Sequence, residues 1–294
     1  MIVVKLSGGL GNQLFQYSLG RYLSLKYNTE LKFDVQFDAN SLNFSARSLG
    51  LSKFNITLNI ASKEEILKYK FFRTGYLSRI ERKLIQFFPS INKKIFVEKP
   101  FEIFNKELFT RDCYVLGYWQ SEYYFRSIEN VIRNDLQINF ELGDVNKDIF
   151  NEISNSESVS IHIRRGDYIT INGNSKIYSL CSLEYYNDAI AFLKSKFGSS
   201  VFYIFSDDIA WAKEIFLGDI FKIIDNNLEN PHVDLFLMSL CKHNIIANSS
   251  FSWWAAWLNC NKNKVIVSPR EWYVDKSLNK KAISSLILEN WVLI

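Results

Sequence analysis

The chain has 294 residues, of which 48% are hydrophobic and 22% charged, with a formal net charge of +4 at pH 7. This is a globular composition, and the length suits two domains of ordinary size or one large one. No run of about 18 consecutive apolar residues occurs, which excludes a transmembrane helix. The four cysteines lack C-x-x-C spacing, which disfavours disulfides and a zinc site and predicts a cytoplasmic location.

The first predicted elements form the start of a nucleotide-type fold. Residues 2–6 read as a strand, 8–13 (GGLGNQ) as a glycine-rich turn, 14–27 as a helix and 30–35 as a second strand. The turn resembles the start of a dinucleotide fingerprint, but Leu14 stands where the third glycine belongs. The chain also lacks G-x-x-x-x-G-K-[ST], which excludes a P-loop kinase.

The middle of the chain is less regular, and residues 41–140 are interpreted as an irregular helical insert. Within it, residues 63–99 carry ten Lys and Arg against four Glu, a net charge of +6. One interpretation is a set of solvated helices with an apolar inner face. The other is a surface that contacts an anionic membrane peripherally, at its inner face, or a lipid-linked acceptor. No recognised nucleic-acid-binding motif occurs, so no nucleic-acid partner is expected.

The second half alternates short apolar strands with helices, a pattern typical of βαβ units and a parallel sheet. The predicted strands are residues 159–163, 201–205, 221–224, 243–247 and 265–267. The predicted helices between them are residues 182–197, 209–216, 231–241 and 250–258. Together with the first half, this pattern predicts two α/β lobes, at 1–150 and 151–294, with a central cleft.

Polar clusters follow each of these five strands: residues 164–167 (RRGD), 206–208 (SDD), 225–226 (DN), 248–250 (NSS) and 268–270 (SPR). Ligands of open parallel sheets bind outside the carboxyl ends of the strands, so we expect these clusters to converge on one crevice.

The first cluster contains two adjacent arginines, Arg164 and Arg165, but only one acid, Asp167, which predicts an excess of positive charge. Planar guanidinium groups match phosphate oxygens, so the pair indicates a diphosphate site, with Asp167 orienting one arginine. The alternative is an Arg–Asp network that ties two loops together. The segment 248–250 adds small hydroxyl residues at a helix N-terminus, a second anion site. Trp253, Trp254 and Trp257 lie within that helix, so we interpret them as packing residues rather than as platforms for a sugar.

Asp207 and Asp208 have two interpretations, a metal site or hydrogen bonds to a purine edge or ribose. We favour the second, because the chain has no D-x-D triplet and no histidine at metal-ligand spacing. No metal and no cofactor are therefore expected. His162 lies within a predicted strand, where it is either a core histidine or a ligand contact.

Four motifs carry a resemblance to a known family: GGLGNQLFQY at 8–17, HIRRGDY at 162–168, SDD at 206–208 and NSSFSWWAAW at 248–257. In this order and length they resemble glycosyltransferase family 11, the α-1,2-fucosyltransferases, in its bacterial form. The resemblance implies a GT-B-like fold of two Rossmann-type lobes, with the acceptor in the N-terminal lobe and GDP-fucose in the C-terminal lobe. It also implies a role in glycan modification such as O-antigen or lipopolysaccharide biosynthesis.

The resemblance also implies residue roles. Arg164 and Arg165 would grip the pyrophosphate, and Asn12 would reach the donor from the other lobe, with Gly9 and Gly11 allowing close approach. Contacts to guanine or ribose would fall to His162 and one of Asp207 and Asp208, and contacts to the phosphates to Ser249, Ser250 and Phe251. Asp167 is one candidate general base, equally expected to be tied to an arginine.

The implied activity is metal-independent transfer of L-fucose from GDP-fucose to the 2-hydroxyl of a terminal galactose, with inversion. The alternatives are a transferase that uses another nucleotide sugar and a non-catalytic nucleotide-sugar-binding protein. The galactoside acceptor, lactose-like or lipid-linked, is expected to contact the region 41–140 and the aromatic residues of 117–124 (GYWQSEYY), which are otherwise core.

Overall fold

The computed structural model describes residues 1–35, 49–69, 80, 83, 94–170 and 174–294. These residues form two compact units, Met1–Asn139 and Phe140–Ile294. The segment 63–99, with its predicted membrane contact, falls largely outside the described residues.

The first unit is built on a parallel sheet. Its strands and α-helices in chain order are β1 (Ile2–Lys5), α1 (Leu10–Tyr27), β2 (Leu31–Asp34), α2 (Lys63–Leu67), β3 (Ile95–Val97), β4 (Cys113–Leu116) and α3 (Glu129–Asp135). Short 3-10 helices occupy Gly50–Lys53, Lys106–Leu108, Glu122–Tyr124 and Arg126–Ile128. The strand order is β2-β1-β4-β3, and each neighbouring pair is parallel.

Two predictions for this unit were wrong. The glycine-rich stretch is not a separate turn before the helix, because α1 begins at Leu10 and Gly9 is its N-cap residue. Burial of both faces of its first turns stabilises the helix despite the low helix propensity of glycine. The stretch 41–140 is not simply a helical insert, since it supplies β3 and β4, whose short apolar runs pair with β1 and each other.

The second unit contains the remaining elements. They are α4 (Asp144–Asn155), β5 (Ser158–Ile163), α5 (Gly166–Thr170), α6 (Leu183–Phe197), β6 (Val201–Ser206), α7 (Ile209–Ile215), β7 (Phe221–Ile224), α8 (Pro231–Leu240), β8 (His243–Ile245), α9 (Ser250–Leu258), β9 (Ile266–Ser268), α10 (Lys276–Leu286) and β10 (Val292–Leu293), with a 3-10 helix at Asn174–Lys176. The five predicted strands are confirmed, and all strand pairs of this sheet are parallel.

The strand order of the second sheet is β10-β9-β8-β5-β6-β7. β5 is buried along its whole length, and α6 packs against it through Tyr186, Ala189 and Leu193 in one hydrophobic cluster. Ser182 caps the first turn of α6, and Gly198, with φ +68°, ends the helix. These signals placed the helix correctly from sequence.

The unit boundary lies before α4 rather than at 150/151, inside that helix. The physical reason is packing, because α4 lies against α8, where the rings of Phe150 and Phe236 stack with centroids 6.5 Å apart. The predicted class, two α/β lobes with parallel sheets, is confirmed. The cleft between the lobes and their donor and acceptor roles stay predictions.

Candidate functional site

The second sheet reverses its strand order between β5 and β8, which are neighbours. From β5 the chain builds outwards through β6 and β7, and from β8 it builds the other way through β9 and β10. Such a switch point leaves a crevice at the carboxyl ends of the strands, where ligands of open α/β sheets bind. Arg164 follows β5 directly, and the segment 246–250 follows β8. The two main polar motifs therefore follow two neighbouring strands, at the same edge of the sheet.

Each arginine of the motif is held by one aspartate at the end of β6. Arg164 Nη1 lies 3.0 Å from Asp207 Oδ2, and the Arg165 backbone amide donates to Asp207 Oδ1 at 2.8 Å. Arg165 Nε donates to Asp208 Oδ2 at 3.3 Å. The Arg165 guanidinium also lies over the Trp211 ring, 4.1 Å from its centroid. β5 and β6 thus supply a fixed pair of guanidinium groups.

The predicted excess of positive charge is wrong, because two aspartates balance the two arginines. Attraction for an anion must instead come from oriented N–H groups, of which a guanidinium has five. The terminal nitrogens of Arg165 have no hydrogen-bond partner among the described residues. Arg165 is therefore oriented by Asp208 and Trp211 while its fork of donors remains available to a phosphate.

Asp167 and Gly166 lie in α5, directly after the arginines. The side chain of Asp167 is outside the described part of the chain, so its roles as arginine partner or general base stay predictions. Packing explains why residue 166 is a glycine, since a Cβ there would lie 3.0 Å from Asp207 Oδ2. A larger residue at 166 would displace the carboxylate that orients Arg164.

The segment after β8 forms the N-terminus of α9. Ser249 is its N-cap residue, and its hydroxyl accepts from the Phe251 amide at 3.3 Å. Asn248 ties loops together, because its Nδ2 donates to the carbonyls of Ser179 and Trp272. The phosphate contacts of Ser249, Ser250 and Phe251 stay predictions. The expected packing role of Trp253, Trp254 and Trp257 is confirmed, since all three are buried.

His162 is buried in β5, beside Phe251, with ring centroids 5.4 Å apart. Burial, together with the smaller effect of the positive charge of Arg164, lowers the pKa of His162 to about 3. Its Nδ1 is buried and has no hydrogen-bond partner among the described residues. An unpartnered buried polar atom costs about 1–3 kcal/mol, so a ligand that supplies a partner would remove that cost.

We expect His162 to stay neutral throughout the working pH range of the protein. Heteronuclear NMR of the imidazole nitrogens should show no protonation of His162 between pH 5 and 8, because its folded pKa lies below that window. A site variant, His162→Phe, assigns the signal. Protonation of His162 near pH 6.5 would contradict the buried position described above.

Asp234 is a candidate site residue that the sequence analysis does not include. It lies in the first turn of α8, whose N-terminus is at the carboxyl edge of the sheet, and α8 packs against α9. Burial raises the pKa of Asp234 to about 7, opposed by a hydrogen bond from Asn227 Nδ2 at 2.9 Å. The available signal was a single acid in a mostly apolar helix, PHVDLFLMSL.

The presence of this half-buried acid needs a reason, because its ionisation costs stability. A carboxyl whose folded pKa exceeds its unfolded value stabilises the fold at low pH and loses that contribution as pH rises through the folded value. For Asp234 the loss runs from about pH 4 to about pH 7. A half-buried acid with a raised pKa, at the sheet edge where parallel α/β sheets bind ligands, is a functional-site candidate.

The first unit places its own polar residues at the carboxyl edge of β1. Gly8 has φ +78°, and a Cβ there would lie 2.5 Å from Asn12 Nδ2, so glycine is required at 8. Asn12 Oδ1 accepts from Gln120 Nε2 at 2.7 Å. Gly9 and Gly11 lie at the N-cap and in the buried first turn of α1. The donor contact of Asn12, and the close approach that Gly9 and Gly11 would allow, stay predictions.

In the described part of the chain, no group of three or more His, Cys, Asp or Glu side chains is arranged to hold a metal ion. None of the described helices combines the length and the apolar character that crossing a membrane requires.

Residues 1–294 match the model of the family described as glycosyl transferase family 11. An alpha-1,2-colitosyltransferase from Escherichia coli is 36% identical, covering 95% of this chain and 94% of its own length. The O-antigen biosynthesis glycosyltransferase WbnK from Escherichia coli is 34% identical, covering 98% of both chains. Among solved structures, the crystal structure of NodZ alpha-1,6-fucosyltransferase soaked with GDP-fucose is 12% identical in sequence, with a TM-score of 0.48. The match covers 87% of this chain and 92% of the NodZ chain.

Proposed function

Because this chain belongs to glycosyl transferase family 11, a family of glycosyltransferases, we propose that it transfers L-fucose from GDP-fucose to the 2-hydroxyl of a terminal galactose. The transfer inverts the fucose anomeric carbon and needs no metal ion. The observation that carries the proposal is the pair of guanidinium groups, each fixed by one aspartate, at the switch point of a parallel sheet.

The reaction breaks the bond between the anomeric carbon and a diphosphate oxygen, and the bonding electrons leave with GDP. The galactose oxygen forms the new bond and loses its proton. Charge therefore develops on the diphosphate in the transition state, where preorganised N–H donors act most strongly. Arg165 supplies such donors, and because Asp208 and Trp211 already orient it, little reorganisation is needed. Asp167 stays one candidate for the group that takes the proton.

Recognition of the base falls to Asp234 in this proposal. The Watson–Crick edge of guanine presents two neighbouring N–H donors, which an ionised carboxylate accepts together, whereas adenine presents no such pair. Asp234 lies at the N-terminal end of α8, and α8 lies beside α9, whose N-terminus meets the switch point. Binding an N–H pair there would compensate the cost of burying the carboxylate.

A second donor, GDP-linked colitose, is favoured by the 36% identical colitosyltransferase. Colitose is fucose without its 3-hydroxyl, so the two donors differ in one polar group. A site that hydrogen-bonds that hydroxyl would reject the deoxy donor by up to about 10⁴-fold, whereas a site without a partner for it would use both. Values of kcat/KM for the two donors with one galactoside decide between them.

The experiment that tests the proposal measures GDP release from GDP-fucose, with and without lactose, in the presence of EDTA. Release stimulated by lactose is the expected result. Loss of activity on adding EDTA would contradict the metal-independent part. Slow GDP release that lactose does not change would support GDP-fucose as the donor and exclude lactose as the acceptor. GDP binding without turnover on any galactoside would favour a non-catalytic binding protein instead.

A further inference from the structure

Tyr168 lies in α5, directly after the arginine motif, and its hydroxyl joins that motif to the segment that follows β8. The hydroxyl donates to the Asn248 carbonyl at 2.9 Å in a buried hydrogen bond. This carbonyl belongs to the peptide group directly before Ser249, the N-cap residue of α9. One side chain therefore connects the two main polar motifs, between residues that are 80 positions apart in the chain.

The ring of Tyr168 is oriented by a second tyrosine. It stacks on the Tyr178 ring, with centroids 4.7 Å apart and an angle of 7° between the ring planes. Tyr178 is held in turn by an antiparallel bridge to Tyr273, beside which the Ser179 amide donates to the Trp272 carbonyl at 3.2 Å. Stacked aromatic rings attract each other beyond the burial of their surface, so the Tyr178 ring fixes the plane of the Tyr168 ring.

The same ring contacts the first arginine of the motif. The guanidinium carbon of Arg164 lies 5.9 Å from the centroid of the Tyr168 ring, within the range of a cation–π contact, and Arg164 Nη1 lies 3.0 Å from Asp207 Oδ2. Arg165 is held in a similar way, by a carboxylate and by the Trp211 ring. Each arginine therefore has an acid and an aromatic ring beside it, and for Arg164 the ring is that of Tyr168.

Other side chains fix the path of the backbone that leaves β8. The Tyr185 hydroxyl, on α6, donates to the Ile246 carbonyl at 2.6 Å. The Asn248 side chain donates to the carbonyls of two neighbouring loops. The Tyr168 hydroxyl acts differently, because it ties this backbone to the arginine motif. In Tyr168→Phe the buried Asn248 carbonyl would lose that donor, and its peptide group could turn towards another one.

We propose that Tyr168 is a positioning residue for diphosphate binding: its ring and hydroxyl hold Arg164 and the N-terminus of α9 at one separation, so that a single diphosphate contacts both. This rests on the proposed function, since it takes Arg164 and residues 249–250 as diphosphate contacts. The two phosphates of a nucleotide sugar share one bridging oxygen, so the groups that bind them must keep a fixed spacing. A displacement of about 1 Å at a reacting site can cost about a hundredfold in rate.

The first test compares Tyr168→Phe with Tyr203→Phe. The Tyr203 hydroxyl hydrogen-bonds to the Ser156 hydroxyl at 3.1 Å, before β5 and away from the arginines, so this control also removes one tyrosine hydroxyl from the second unit. Calorimetry measures binding of GDP, inorganic pyrophosphate and guanosine. In Tyr168→Phe we expect about tenfold weaker binding of GDP and pyrophosphate, unchanged binding of guanosine, and about tenfold lower kcat.

The control separates positioning from stability. Tyr203→Phe should lower the melting temperature about as much as Tyr168→Phe, while its diphosphate affinity and kcat match the wild type. A purely structural role of Tyr168 would weaken guanosine and GDP binding alike, and that result would overturn the proposal. Unchanged binding of both GDP and pyrophosphate in Tyr168→Phe would overturn it as well.

The second test is Tyr168→Leu, which also removes the ring beside Arg164. Its diphosphate affinity should fall further than that of Tyr168→Phe, and equal affinities would refute the part assigned to the ring. Turnover is compared on whichever nucleotide sugar the wild type uses. Wild-type binding of pyrophosphate without GDP would contradict the proposed donor and leave the comparison of variants decisive. Binding of neither by the wild type would overturn the diphosphate site and this inference with it.

Discussion

Arg165→Ala should reduce turnover about a thousandfold or more while leaving the fold intact. The wild-type guanidinium is oriented by Asp208 at 3.3 Å and by the Trp211 ring, and it presents its terminal nitrogens at the switch point. Removing it deletes donors that the departing diphosphate needs most in the transition state. The contacts of the side chain are an ion pair with Asp208 and the face of the Trp211 ring, so circular dichroism and the melting temperature should change little.

Two further variants separate charge from geometry. Arg165→Lys keeps the charge but loses the planar fork, and we expect most of the activity to be lost, since Asp208 already balances the charge. Lys242→Ala is the matched control, because it removes an ion-paired cation of the same unit at the opposite edge of the sheet. It should turn over like the wild type. Full activity of Arg165→Ala would refute the pyrophosphate role and leave the arginines as a structural network.

Asp234→Asn should weaken GDP-fucose binding about 10- to 100-fold at pH 8, because the amide offers one acceptor and a mismatched N–H group to the guanine edge. The same variant should be more stable than the wild type at pH 8 and similar to it below about pH 4, since it removes a carboxyl whose ionisation costs stability between about pH 4 and 7. Affinity and stability then move in opposite directions, as expected for a residue retained for binding.

Titration calorimetry with GDP-fucose, whose diphosphate does not titrate near pH 7, measures the affinity. In the wild type the affinity should rise with pH through about 7 as Asp234 ionises, and in Asp234→Asn it should be flat. Inosine diphosphate, which lacks the guanine amino group, should bind more weakly than GDP to the wild type only. Asp144→Asn, at the exposed first turn of α4, is the matched control. Unchanged affinity in Asp234→Asn would exclude base recognition by this residue.

The second half of the fold was predictable because its signals are local. Apolar β-branched strands, the Ser182 cap and Gly198 each define their element within a few residues. Parallel strands with polar residues at their carboxyl ends then predict the position of the site without any tertiary information.

Other features depend on partners that are distant in the chain. The pairing of Arg164 with Asp207 needs the register of β5 against β6, in which Ile163 faces Ser206. The surroundings of Asp234 are set by the packing of whole elements, so its raised pKa could not be predicted from sequence. β3 was missed because three apolar residues do not distinguish a strand from a buried turn.

Structural analysis of the product tests the central claim most directly. The wild-type protein is incubated with GDP-fucose, lactose and EDTA, and the trisaccharide is examined by NMR. The account predicts one product with α-configured fucose on the galactose 2-oxygen. A β-linked product, or attachment to another hydroxyl, would contradict the proposed reaction. A product formed only from GDP-linked colitose would keep the transfer and replace the donor.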